Sequence, residues 1–86
     1  MDINQLIAIV KKKIQSEVIV ENIKIEDKSF LHKNHPGNVE NKYHLKILIE
    51  SVELKKMKKI DSNKKIYKIL EKEIKMFVHS IQIILN

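Results

Sequence analysis

Tyr43-His44-Leu45-Lys46-Ile47-Leu48-Ile49-Glu50 sets an apolar row at positions 43, 45, 47 and 49 against His44, Lys46 and Glu50. That is the period of a strand with one buried face. Leu48 interrupts the polar row, so partial cover of the outer face is expected as well. Upstream, Ile19, Ile23 and Ile25 fall on odd positions in a β-branched stretch, which predicts a second strand from residue 19 to near Asp27. Residues 28 to 42 between the two strands contain Ser29, Asn34, Pro36, Gly37, Asn38 and Asn41 and read as a loop. At about 15 residues it is longer than an ordinary connection, and such loops tend to carry function.

Downstream of the central strand a basic connector, Lys55-Lys56-Met57-Lys58-Lys59, leads into a helical stripe of Ile66, Tyr67, Ile69, Leu70, Ile74 and Phe77. Asp61 or Ser62 is placed to cap that helix. Val78-His79-Ser80-Ile81-Gln82-Ile83-Ile84-Leu85 then has the β-branched density of a strand buried on at least one face. At the other end Ile3, Leu6, Ile7, Val10 and Ile14 recur at helical spacing, so residues 2 to about 15 form an amphipathic helix with Asp2 as its N-cap. The order αββαβ, with neither repeat nor linker, describes a single α+β domain over residues 1 to 86. A hairpin followed by a strand reached through a helix predicts a three-stranded mixed sheet with both helices on one face.

Composition narrows the function classes. The chain has no cysteine, so disulfides, a thiolate nucleophile and thiolate metal ligation are excluded; imidazole and carboxylate are the good metal ligands left. Seventeen lysines and no arginine against 11 acids give a net charge of +6. Such a balance favours phosphate backbones or acidic partners, but lysine-rich, AT-biased chains also carry these charges on ordinary solvated surfaces. No apolar run reaches the ~18 residues that span a bilayer. Asp2 stands where a signal peptide would carry basic residues, so a cytoplasmic protein with no membrane contact is expected, monomeric or weakly dimeric alone.

The chemistry rests on four histidines. A lone histidine in an apolar strand, such as His79, is usually a satisfied core or edge residue. His32 and His35, three residues apart in the long loop, offer further imidazoles that could reach a metal with His79 if the loop folds back. No H-E-x-x-H pattern, phosphate loop or nucleophile elbow occurs, and the acids read as solvated faces. An enzyme is not expected.

Asp27-Lys28-Ser29-Phe30-Leu31-His32-Lys33-Asn34-His35-Pro36-Gly37 has the form D-x-S-x-x-H-x-x-H-x-G. With Tyr43-His44-Leu45-Lys46 and Val78-His79-Ser80 it resembles the BolA family, from Glu17 to Leu85. The resemblance implies the same αββαβ order and a KH-like fold of type II. It also implies that His79, in the V-H pair opening the last strand, is the signature ligand. A second ligand then comes from the loop: His32 matches the motif's first histidine, and His35 is the alternative. The cofactor implied by the resemblance is a 2Fe-2S cluster shared with a monothiol glutaredoxin, whose cysteine and a glutathione thiolate hold the other iron. His44 matches the histidine of the family's H-F-x-V strand and reads as structural or weakly supporting, with Leu45 in place of phenylalanine.

A second family pattern, F-x-G followed by a helix opening R-H-R and then V-Y, is altered here. Leu54 stands for the phenylalanine, Lys56 for the glycine and Ser62-Asn63-Lys64 for R-H-R, while Ile66-Tyr67 keeps the ending. The resemblance places partner or nucleic-acid contacts there, at Lys56, Lys58, Lys59, Lys64, Lys65 and Tyr67. A KH-like transcriptional regulator is therefore the alternative function. Gly37 is the sole glycine, so the G-x-x-G clamp of KH domains cannot form, and weak, salt-sensitive DNA binding is the expectation.

Overall fold

The computed structural model describes residues 2–29 and 42–86. Its elements are α1 (Ile3–Glu17), β1 (Asn22–Asp27), β2 (Tyr43–Glu50), α2 (Val52–Lys55), α3 (Lys59–Ile69), α4 (Glu71–Phe77) and β3 (Val78–Leu85). β2 is the central strand, antiparallel to β1 and parallel to β3. This is the expected mixed sheet. Asp2 caps α1 through a capping box with Gln5, and each side chain takes the other's backbone N–H.

The apolar row of β2 decides which face is covered. Ile23 and Ile25 lie opposite Ile49 and Ile47 on one side, and Ile81, Ile83 and Leu85 lie opposite Leu45, Ile47 and Ile49 on the other. Onto this face α1 sets Leu6, Val10 and Ile14, and Leu54, Ile66 and Leu70 complete the core from the later helices. Each such side chain stabilises the fold by about 1.5–3 kcal/mol when fully buried. Leu48 is half-buried on the opposite face, as its place in the polar row suggested.

Three local expectations are corrected. β1 begins at Asn22 rather than at residue 19. The Ile19 carbonyl accepts the Ser51 hydroxyl at 2.7 Å and Glu21 Oε1 takes the Val52 N–H at 2.7 Å, so both positions serve the turn into α2, and the Ile19 side chain is 70% exposed. The long helix opens at Lys59 without a side-chain cap and divides at Leu70 into α3 and α4. Neither Asp61 nor Ser62 caps it: Asp61 lies in the first turn, and buried Ser62 donates its hydroxyl to the Leu54 carbonyl at 2.7 Å, binding α3 to α2. Finally, Glu73 is not solvated. Its buried carboxylate receives both contacts of the Lys13 ammonium, at 2.7 and 2.9 Å, which clamps α1 to α4.

Candidate functional site

β3 opens on a bulge. Val78 pairs with Tyr43, but the next pair joins Ser80 to His44, so His79 has no partner on β2. The extra residue reverses the alternation: Val78 is in the core, and the core row resumes on odd positions at Ile81, Ile83 and Leu85. Ser80 consequently shares the open face with His44, and the exposed His79 side chain stands beside them. The ring centroids of His44 and His79 are 5.0 Å apart in an edge-on arrangement.

His44 is buried and held from two directions. Its Nδ1 is 2.5 Å from Ser80 Oγ, with donor and acceptor set by the tautomer. Its backbone N–H donates to Ser29 Oγ at 3.0 Å, while its carbonyl accepts the Lys28 N–H at 2.7 Å. Asp27 Oδ1 in turn accepts the Ser29 N–H at 2.9 Å. The aspartate and serine of the D-x-S pattern thus fix the departure of the long loop from β1 and tie it to His44. Lys28 also reaches Glu26 at 2.8 Å, and that hydrogen bond holds the Glu26 carboxyl below its ordinary range. An open depression of about 340 Å³ beside His44 is lined by Lys28, Lys46, Ser80 and Gln82.

Of the expected metal ligands, His79 is thus an exposed imidazole braced by a second ring, whereas His32 and His35 lie outside the described residues. Among the described residues no three histidine or carboxylate side chains converge on one point. Ser80 and Ser29 were not anticipated from sequence. The signal for Ser80 was the broken parity of Val78, Ile81 and Ile83, which puts an additional residue at His79.

The predicted contact residues run from the α2–α3 turn, at Lys56 and Lys58, along α3. Lys56, Lys58, Lys59 and Lys64 are exposed, Lys65 pairs with Glu53 at 3.4 Å, and the half-exposed Tyr67 donates its hydroxyl to the Ile81 carbonyl at 3.4 Å. The lysines form a basic rim on the helices, and Tyr67 links that rim to β3.

A family model described as BolA-like protein matches residues 14–86. The chain belongs to the BolA family. This BolA-family chain is 30% identical over 73 residues to the DNA-binding transcriptional regulator BolA of Haemophilus influenzae, covering 85% of itself and 68% of that relative. Its fold is similar to BolA1 from Arabidopsis thaliana, with a TM-score of 0.77 at 23% identity over 92% of this chain and 87% of that one. The BolA domain of SufE1 from Arabidopsis thaliana gives 0.76 at 23% identity with the same coverage. BolA1 from Mus musculus gives 0.73 at 16% identity over 92% of this chain and 62% of the other. At such identities the structural likeness concerns the BolA fold alone. Among the described residues no helix is long and apolar enough to cross a membrane.

Proposed function

We propose that this BolA-family chain is a non-enzymatic cytoplasmic protein that binds a monothiol glutaredoxin and shares a 2Fe-2S cluster with it, in iron–sulfur cluster assembly and trafficking or in iron regulation. His79 is one ligand, and His32, or alternatively His35, is the second. The supporting observation is the exposed His79 imidazole at the bulge, set against a buried His44 that Ser80 and Ser29 hold in place. An exposed ligand donor with a supported neighbour suits a cluster completed by a second protein. Imidazole in place of thiolate raises the reduction potential of such a centre, as Rieske-type ligation illustrates. Because each histidine must be deprotonated to bind, the shared cluster is labile in acid.

The test is anaerobic reconstitution with a monothiol glutaredoxin, glutathione, iron and sulfide, followed by visible absorption and circular dichroism. A heterodimer spectrum distinct from that of the glutaredoxin alone, lost in His79→Ala, is expected. Parallel His32→Ala and His35→Ala variants identify the second ligand. An unchanged glutaredoxin spectrum with no complex would refute the reading.

A second reading, a DNA-binding regulator, is favoured by the name of the Haemophilus influenzae relative and by the exposed lysines of α2 and α3. The chain offers no arginine for bidentate guanine contacts, so phosphate attraction dominates. Its signature is affinity that falls steeply with salt and is uniform across duplex sequences.

A further inference from the structure

Among the described residues no strand pairs with the outer edge of β3. The Asn86 N–H donates to the Ile49 carbonyl at 2.9 Å, and Leu85 lies opposite Ile49 in the parallel register. In such a ladder alternate residues address the neighbouring strand, so Gln82, Ile84 and Asn86 bond to β2 while the N–H and C=O groups of Ile81, Ile83 and Leu85 point outward. The Tyr67 hydroxyl, which reaches the Ile81 carbonyl from α3, fits this assignment. Among the described residues, nothing pairs with the outward groups of Ile83 and Leu85.

A groove of about 420 Å³ runs beside this edge, lined by buried Leu54 of α2, by Met57 of the α2–α3 turn and by Ile83 and Leu85. Lys55 and Lys59 stand on its wall, both exposed and, among the described residues, neither in an ion pair. The two edges of the sheet differ in charge. β1 carries Lys24, Glu26 and Asp27, whereas β3 has no lysine or acid from Val78 to Leu85 in a chain that is 33% charged. Charges are a usual means of blocking strand addition, and β3 lacks them.

We propose that the β3 edge and its groove dock an extended, acidic segment of a partner protein by strand addition. Outward groups at Ile83 and Leu85 supply main-chain pairing at the two-residue spacing of a polypeptide, the half-buried Met57 receives an apolar side chain, and Lys55 and Lys59 select acidic residues. A second copy of this chain is disfavoured because each copy carries +6. A nucleic acid is disfavoured because the groove lining has no aromatic ring on which a base could stack. The surface lies at the end of β3 away from His79, and it shares Lys59 with the partner contacts expected from sequence.

The test uses the full chain, isotope-labelled, with a synthetic eight-residue peptide of alternating valine and glutamate, its valine–lysine counterpart, a backbone N-methylated version and an oligo-dT strand. The glutamate peptide is expected to slow amide exchange at Ile83 and Leu85 by about tenfold or more and to bind about tenfold tighter than the lysine peptide. Ile83→Pro removes an outward N–H without touching the bonds to β2, and should abolish binding while circular dichroism stays unchanged. Lys55→Glu with Lys59→Glu should weaken it, which keeps the test informative if the proline variant misfolds. Unchanged exchange at Ile83 and Leu85, equal binding of the N-methylated peptide, protection by oligo-dT alone, or protection arising from self-association each overturns the proposal.

Discussion

The two halves of β3 obey different rules. From Ile81 to Leu85 the odd residues face the helices, each opposite an apolar partner on β2. From Val78 to Ser80 the alternation fails: Val78 is buried, His79 is unpaired in the ladder and Ser80 meets a buried histidine across the open face. One additional residue accounts for the change. It lets a single strand serve packing at one end and present an exposed imidazole at the other, with the sheet itself as its rigid support.

The strongest way to break that contrast is to truncate one side chain from each setting. Ile47→Ala, beside Ile83 on β2, is expected to lower stability by about 2–5 kcal/mol in urea denaturation, whereas His79→Ala should stay within about 0.5 kcal/mol. Single deletions sharpen it. Loss of Gln82 moves Ile83 and Leu85 onto the open face and should cost about 2–4 kcal/mol, while loss of His79 restores regular alternation and should cost about 1 kcal/mol or less. Equal costs for the two deletions would sink the bulge assignment.

Ser80→Ala tests the polar half directly. Removing the partner of a buried imidazole nitrogen should cost about 1 kcal/mol and shift the ring resonances of both His44 and His79, because the two rings are in contact. The smallest effect concerns Glu26, on the same open face. Its folded carboxyl lies below the ordinary value of 4.5 because Lys28 donates to it. The unfolded chain therefore takes up a proton first as pH falls, and the contribution, complete above the unfolded value, is lost as pH drops through the folded one. Glu26→Gln should slightly flatten the fall of stability as pH drops below the ordinary carboxylate value of 4.5, and pH-dependent denaturation would reveal it.

Sequence was most legible where one physical demand acted alone. The row Tyr43, Leu45, Ile47 and Ile49 answers only to burial, and Asp2 answers only to orphaned N–H groups at the start of α1; both read correctly. It was least legible where a residue served a distant partner. Ile19 has the chemistry of a strand residue, yet its carbonyl belongs to Ser51, 32 positions away. Ser62 has the chemistry of a cap, yet its hydroxyl closes the α2–α3 corner. Glu73 looks like any surface acid until Lys13 arrives. The site follows the same division: His79 was visible as a type and a place, while its setting against His44 depends on a bulge that only the pairing of β3 with β2 reveals. His32 and His35, the other expected ligands, fall outside the described residues.

The clamp between Lys13 and Glu73 also bears on how the molecule assembles. It joins positions 60 apart in the chain, and α2, α3 and α4 separate β2 from β3 along the sequence. Closing such a span costs entropy before any contact repays it, so the β1–β2 hairpin can form early but α1 is secured late. The first helix is then expected to be the first to leave. Under native conditions its amides should exchange through an opening less costly than global unfolding, while those of β2 wait for the whole structure to come apart.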